Sequence, residues 1–352
     1  MQKRKIMYLD VARIIATIAV LIIHVSTMQP TLNSFGYETS EWATLIIMSN
    51  VCKWAAPVFC CISGALFLDP DRRVPTKKIY TKYIPRIAVG LIFWAAMQYI
   101  TLIVLNGKEM TKAEFIKGVF SGYYHQWYLF MIIGFYILVP ILRKITEDKN
   151  LTKYFIAVCL CMTFIRPFLQ QHPKLDWTTA ATGKMFMYLP GYLAYFLLGY
   201  YINKFDFSKL LKVFVYIGGA ASFYYTAAET VRVSRETGVY YQDLVQYNSL
   251  TIFIQVLFVF ILIKDVCSKI NFGKRSEKLI STISKDTFGI YQMHPIAIFV
   301  FYEFGKFSSA SIPGIDIHPL VAVPVFLALT YVSCEIVSHV LNKIPLVKNY
   351  LV

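Results

Sequence analysis

The sequence predicts an all-α, polytopic membrane protein with about ten transmembrane helices in one bundle and both termini cytoplasmic. Three observations carry that expectation. Hydrophobic residues make up 57% of the 352 residues and charged ones only 16%, a balance too apolar for a water-soluble domain. Apolar runs of roughly 17 to 25 residues recur to the end of the chain. Lys and Arg alternate in density between successive connecting segments: roughly 24 fall in the set that begins at the N-terminus and about 9 in the other, with Arg13 and Lys53 inside the runs. Basic loops stay on the cytoplasmic side, so the richer set is read as inner. Residues 1–352 are taken as one domain.

The same distribution accounts for the formal net charge of +15 without a nucleic-acid partner, since membrane lipid and topology already ask for it. The seven cysteines lie in or beside apolar runs without paired metal-ligand spacing, so they read as packing residues and no metal is expected.

The first run, 8–28, is not read as a cleaved signal peptide, because it is long, lacks a small-residue cleavage site and is followed by many more spans. It carries Asp10, Arg13 and His24. At about 100° per residue, Arg13 and His24 return to within roughly 20° of each other, and Asp10 lies within about 60° of both. The stripe spans about 21 Å at about 1.5 Å per residue. Charge at such depth points to function by default. The plainer alternative has Asp10 and Arg13 reaching headgroups and His24 satisfied in the interior.

The second run, 42–68, holds Lys53 near mid-membrane, where an ammonium needs a partner or a water-filled cavity, and then PVFCCISG. Ser63 and Gly64 there permit either close helix approach or a local unwinding. Before and into the third run, 79–105, come Arg72, Arg73, Lys77, Lys78, Lys82 and Arg86. The positive-inside rule alone explains them; a polyanionic cytosolic ligand such as a nucleotide or coenzyme A is the sharper reading.

The fourth run, 127–146, is preceded by His125 and Gln126 and opens with Trp127 and Tyr128. Aromatic residues there suit the membrane interface, and the two polar residues are either solvated or part of a site. Runs five and six, 151–167 and 186–203, are punctuated by Pro167, Pro173 and Pro190. Runs 208–228 and 247–267 lead to a second basic stretch, Lys264, Lys269, Lys274, Arg275, Lys278 and Lys285, which admits the same two readings as the first. The ninth, 286–305, places His294 at mid-span with Pro295 behind it, and the tenth, 318–342, sets Glu335 and His339 one turn apart, a pair able to satisfy itself.

YLDVARIIATIAVLIIHVS, PVFCCISGALF, the basic loop, HQWYLFMIIGFYILVPIL and SKDTFGIYQMHP occur in that order. Together they resemble the acyltransferase-3 family, ten-helix-core membrane proteins that O-acetylate surface glycans. The resemblance covers most of the chain and is nearest to the shorter bacterial members that act on enterobacterial common antigen and exopolysaccharide. It implies a multi-pass protein of the bacterial cytoplasmic membrane that moves acetyl from acetyl-CoA, used as a co-substrate, to a hydroxyl of a surface or lipid-linked glycan. By resemblance His24 is the catalytic residue and Arg13 essential, with Asp10 beside it, while Arg72, Arg73, Arg86 and Ser63 are placed at the donor.

Acyl transfer needs a base for the acceptor hydroxyl and stabilisation of a tetrahedral oxyanion. His24 suits the base, and His125, Trp127, Lys53, His294 and Glu335 are the candidates to meet the acceptor. The competing class is a carrier for a small anion or a modified glycan, because polar residues along helices and a proline-broken helix also describe transporters.

Overall fold

The computed structural model describes residues 6–70, 74–170, 190–313 and 315–352. Its main helices are α1 Met7–Ser26, α2 Ser40–Asn50, α3 Ala55–Phe67, α4 Ile84–Asn106, α5 Trp127–Thr146, α6 Lys149–Gln170, α7 Pro190–Lys204, α8 Lys209–Thr237, α9 Leu250–Lys269, α10 Lys274–Glu303 and α11 Pro319–Leu341. A short antiparallel ladder, β1 Ser311–Ile312 with β2 Ile315–Asp316, sits between α10 and α11. Side-chain oxygens start several helices: Thr39 accepts from the Trp42 amide, Ser208 from Leu211 and Ser249 from Ile252.

Every one of the ten apolar runs carries a helix. Among the described residues six segments are long and apolar enough to cross a membrane: Met7–Ser26, Ser40–Phe67, Thr76–Asn106, Lys112–Thr146, Asp243–Lys269 and Pro319–Leu341. The protein is therefore multi-pass. The other four helices have physical reasons to miss that standard. Helix α7 has only 15 residues. Helix α6 begins with Lys149 and Lys153, and α8 and α10 extend their apolar stretches with charged turns such as Lys274, Arg275, Glu277 and Lys278. Pro173 lies outside the described residues.

The charged helix α1 is the hub of the bundle, touching α2, α3, α9, α10 and α11. The second apolar run is two helices, not one. Pro57 has no amide hydrogen to give to the carbonyl four residues back, that of Lys53, and its ring crowds that carbonyl. Residues 51–54 accordingly form a turn, closed by Ala55 N to Cys52 O at 3.0 Å and Trp54 Nε1 to Val51 O at 2.7 Å. The break lies upstream of Ser63 and Gly64, where the helix is continuous.

Gly64 serves close approach instead. A Cβ there would lie 1.6 Å from the Phe196 carbonyl oxygen of α7, and one at Gly199 would lie 1.9 Å from the Cys61 carbonyl oxygen. Each helix presents a glycine to the other's backbone, so α3 and α7 cross in direct contact. Backbone has no rotamer by which to yield. Gly64→Ala is expected to destabilise the protein by about 1–3 kcal/mol, read as earlier unfolding of the detergent-solubilised protein. An unchanged unfolding midpoint would mean that the helices separate freely.

Candidate active site

Two cavities lie along α1, one beside Arg13 and the other beside His24. The first, about 620 Å³, is walled on its charged side by Arg13, Lys82, Arg86, Lys285 and Lys348. Residues Ile79–Tyr83 form a widened π-helical turn leading into α4, and this turn sets Lys82 and Tyr83 on the wall. Ser63 lines the same cavity from α3. Arg13 Nη1 donates to Ser284 Oγ at 2.9 Å and lies 3.4 Å from Asp10 Oδ1, while the Ser284 hydroxyl donates onward to Asp10 at 2.8 Å. Arg13 thus pairs with Asp10 on its own helix and with a serine from α10. Arg86 donates to the Val352 carbonyl and stacks on Phe288, with its guanidinium carbon 5.5 Å from the ring centre.

The second cavity, about 640 Å³, is lined by His24, Lys53, Tyr124, His125, Trp127 and Glu303 among others. The turn forced by Pro57 is what delivers Lys53 to it. Three imidazoles from α1, the start of α5 and α10 converge here. His24 lies 4.9 Å from His294 and 6.5 Å from His125 between ring centroids, and His125 lies 5.1 Å from His294. His294 is fully buried behind His24 and does not itself line the cavity.

The proline after His294 organises its chemistry. Pro295 cannot donate to the Tyr291 carbonyl, and His294 Nδ1 takes that carbonyl at 2.7 Å instead. A carbonyl only accepts, so Nδ1 carries the proton and Nε2 keeps its lone pair. Nε2 is buried with no hydrogen-bond partner among the described residues. Neither ring nitrogen of His125 reaches a partner in good geometry, although the Gln292 backbone lies close by. The His125 backbone is held firmly: Tyr291 donates its hydroxyl to the His125 carbonyl, and buried Gln126 bonds Gln292 Oε1 at 3.0 Å and the Leu91 carbonyl at 3.3 Å. Among the described residues no group of three or more His, Cys, Asp or Glu is arranged to hold a metal ion.

The residues singled out in the sequence divide by place. Asp10, Arg13, Ser63 and Arg86 gather at the cationic end; Arg72 and Arg73 lie outside the described residues. His24, Lys53, His125 and Trp127 line the other cavity, and His294 backs it. Glu335 lines neither cavity. It sits beside buried Asp286, which also takes His339 at 3.2 Å and Asn342 at 2.6 Å, so the expected Glu335–His339 pair turns instead toward α10. Ser284, Glu303 and Tyr291 carry no sequence signal strong enough to single them out. Only Tyr291 leaves a trace, four residues before Pro295, which sits inside the continuous α10.

A family model described as an acyltransferase domain, acyltransferase-3, matches residues 6–339. Curated relatives from Staphylococcus aureus strains MSSA476, NCTC 8325 and MRSA252 bear the name probable poly-beta-1,6-N-acetyl-D-glucosamine export protein. Each is 25% identical over 307 residues, covering 81% of this chain and 80% of the relative. No solved structure matches.

Proposed function

The chain belongs to the acyltransferase-3 family, and from that premise we propose that it is an acyl-CoA-dependent O-acetyltransferase of the bacterial cytoplasmic membrane. The donor is acetyl-CoA, held with its phosphates among the cations of the Arg13 cavity, which faces the cytoplasm together with both termini. The acceptor is a hydroxyl of a surface or lipid-linked glycan, met in the His24 cavity. The observation that carries this reading is the pairing on one helix of a cationic cavity at Arg13 with an imidazole-lined cavity at His24, eleven residues or about 16 Å apart. A long acyl carrier bridges such a gap, whereas free acetate, itself an anion, would meet the cations without reaching His24 from them.

The steps balance on residues of this chain. His24 takes the proton of the acceptor hydroxyl as its oxygen attacks the thioester carbonyl, forming the new C–O bond. The tetrahedral oxyanion develops in a cavity that holds the Lys53 ammonium. Collapse breaks the C–S bond, and the departing thiolate recovers the proton from the His24 imidazolium. His294, with its tautomer fixed, supports the His24 ring from behind. Entry of a polymer from outside is favoured by a further cavity of about 780 Å³ that shares Pro30, Tyr302 and Glu303 with the His24 cavity and carries Glu41 and Asp316 on its rim.

Export is the second reading, favoured by the names of the staphylococcal relatives and by two cavities set end to end. One experiment separates them. Purified protein in liposomes is given labelled acetyl-CoA on the face bearing Lys82 and Lys285, with glycan acceptor on the other. The expected result is glycan heavier by one acetyl group, with one thioester consumed for each acetyl transferred. Movement of glycan or of a small anion with no thioester consumed overturns the acetyltransferase reading.

A further inference from the structure

Between the two cavities stand three aromatic rings, and they are the only side chains that line both: Phe59 of α3, Tyr128 of α5 and Tyr291 of α10, among the described residues. Their centroids form a near-equilateral triangle, 5.9 Å from Phe59 to Tyr128, 6.5 Å from Phe59 to Tyr291 and 6.3 Å from Tyr128 to Tyr291. The interplanar angles of 51°, 65° and 70° show that the rings do not stack: Tyr291 meets Phe59 and Tyr128 edge-on, and Phe59 and Tyr128 are tilted against each other. Two of the rings are tethered. Tyr291 donates to the His125 carbonyl and Tyr128 contacts the Ser63 hydroxyl, and both are almost fully buried. Phe59 has no polar anchor and is only partly buried. It stands two residues after Pro57, just past the broken turn.

Resting on the acetyltransferase reading above, we propose that this triad is a gate between a donor chamber and an acceptor chamber, with Phe59 as its movable leaf. Shut, it holds the thioester end of a bound donor away from His24, where water activated in place of the acceptor would spend it by hydrolysis. Displaced, it passes the thioester end of the donor while the phosphates stay below among the cations. The width that one displaced ring opens then limits the acyl group, so that the triad sets chain length as well as timing. The contacts of Phe59 within the triad are a tilted pair with Tyr128 and an edge contact with Tyr291, which release without breaking a hydrogen bond. That suits a leaf opened once per turnover.

The test compares acetyl-CoA with butyryl-CoA, and transfer with hydrolysis, in wild type, Phe59→Ala, Phe59→Leu and Phe59→Trp, each purified and checked for a monodisperse profile. A pocket wall discriminates about 10-fold or more per added methylene. Removing the leaf is expected to raise the butyryl-to-acetyl ratio of kcat/KM by about 10-fold or more and to raise acceptor-free thioester hydrolysis similarly, with Phe59→Leu between wild type and Phe59→Ala. Phe59→Trp is expected to lower kcat by about 10-fold with the KM for the donor within about twofold, because the phosphates bind elsewhere. A purely structural Phe59 would lower all activities together. If the chain-length ratio and the hydrolysis rate of both truncated variants stay at wild-type levels, the gate is wrong although the transferase stands. If wild-type protein moves glycan and consumes no thioester, the transferase reading falls and the gate with it.

Discussion

Arg13→Ala is expected to lower kcat/KM for the acyl donor by about 10²-fold, and neutralising Asp10 in the same chain is not expected to restore it. Two roles for Arg13 predict different cycles. As a mere counter-ion, Arg13 would keep the Asp10 carboxylate from losing its charged partner between α1 and α10, where Ser284 would remain to it among the described residues. Removing the arginine alone would then damage the fold, and Asp10→Asn would relieve that damage. As a cation of the donor cavity, Arg13 gives phosphate a charge-assisted hydrogen bond, and bonds of that kind contribute about 1.5–3 kcal/mol, or 10- to 150-fold. Asp10→Asn cannot replace that. Kinetics of Arg13→Ala, Asp10→Asn and the double variant decide, because contacting residues reveal their coupling as non-additivity. A double variant within about threefold of wild type would reduce Arg13 to a structural partner.

How much of the site is legible in the sequence follows from what periodicity encodes. Within α1 the 3.6-residue repeat converts spacing into azimuth, so the alignment of Asp10, Arg13 and His24 is plain from their numbers alone. Between helices no such rule exists. His24, His125 and His294 come from three distant runs, and their convergence depends on the rotation of each helix in the bundle, fixed by contacts such as Gly64 against Phe196 and the α10 face against α1. The family resemblance singles out segments that the fold brings near one another, but not their mutual geometry. Glu335 shows the converse: its one-turn spacing from His339 is visible in the sequence, whereas Asp286, which draws both toward α10, is hidden in another run.

Proline is informative in a less obvious way. The effect of a proline falls on the carbonyl four residues before it, so Pro57 acts at Lys53 and Pro295 at Tyr291. The small residues Ser63 and Gly64 suggest an unwinding near Pro57 but on the wrong side of it. In the fold the first of these positions brings a lysine to the His24 cavity, and at the second an imidazole takes the freed carbonyl. Both events occur at the walls of the same cavity, and neither follows from composition.

The largest effect is expected at His24. Replacing it with Ala is expected to lower acetyl transfer by about 10² to 10⁴-fold, the usual loss on removing a general base, while donor binding persists because the cations that hold the phosphates lie about 16 Å away. Two of the three clustered imidazoles line the cavity and both lie against His294; His24 is the one on α1 with Arg13 and is only partly buried, whereas His125 is buried. His294 is sealed behind it with Nδ1 committed to Tyr291, so His294→Ala should remove support and weaken turnover by about 10-fold without abolishing it. His125→Ala tests the remaining ring, whose backbone rather than side chain is tied to Tyr291. The measurement is single-turnover transfer together with equilibrium binding of acyl-CoA for all three variants, so that lost chemistry is separated from lost donor. If His24→Ala keeps more than about a tenth of wild-type turnover while His294→Ala falls to background, the base is the buried Nε2 on α10, and α1 supplies only the wall through which the acceptor reaches it.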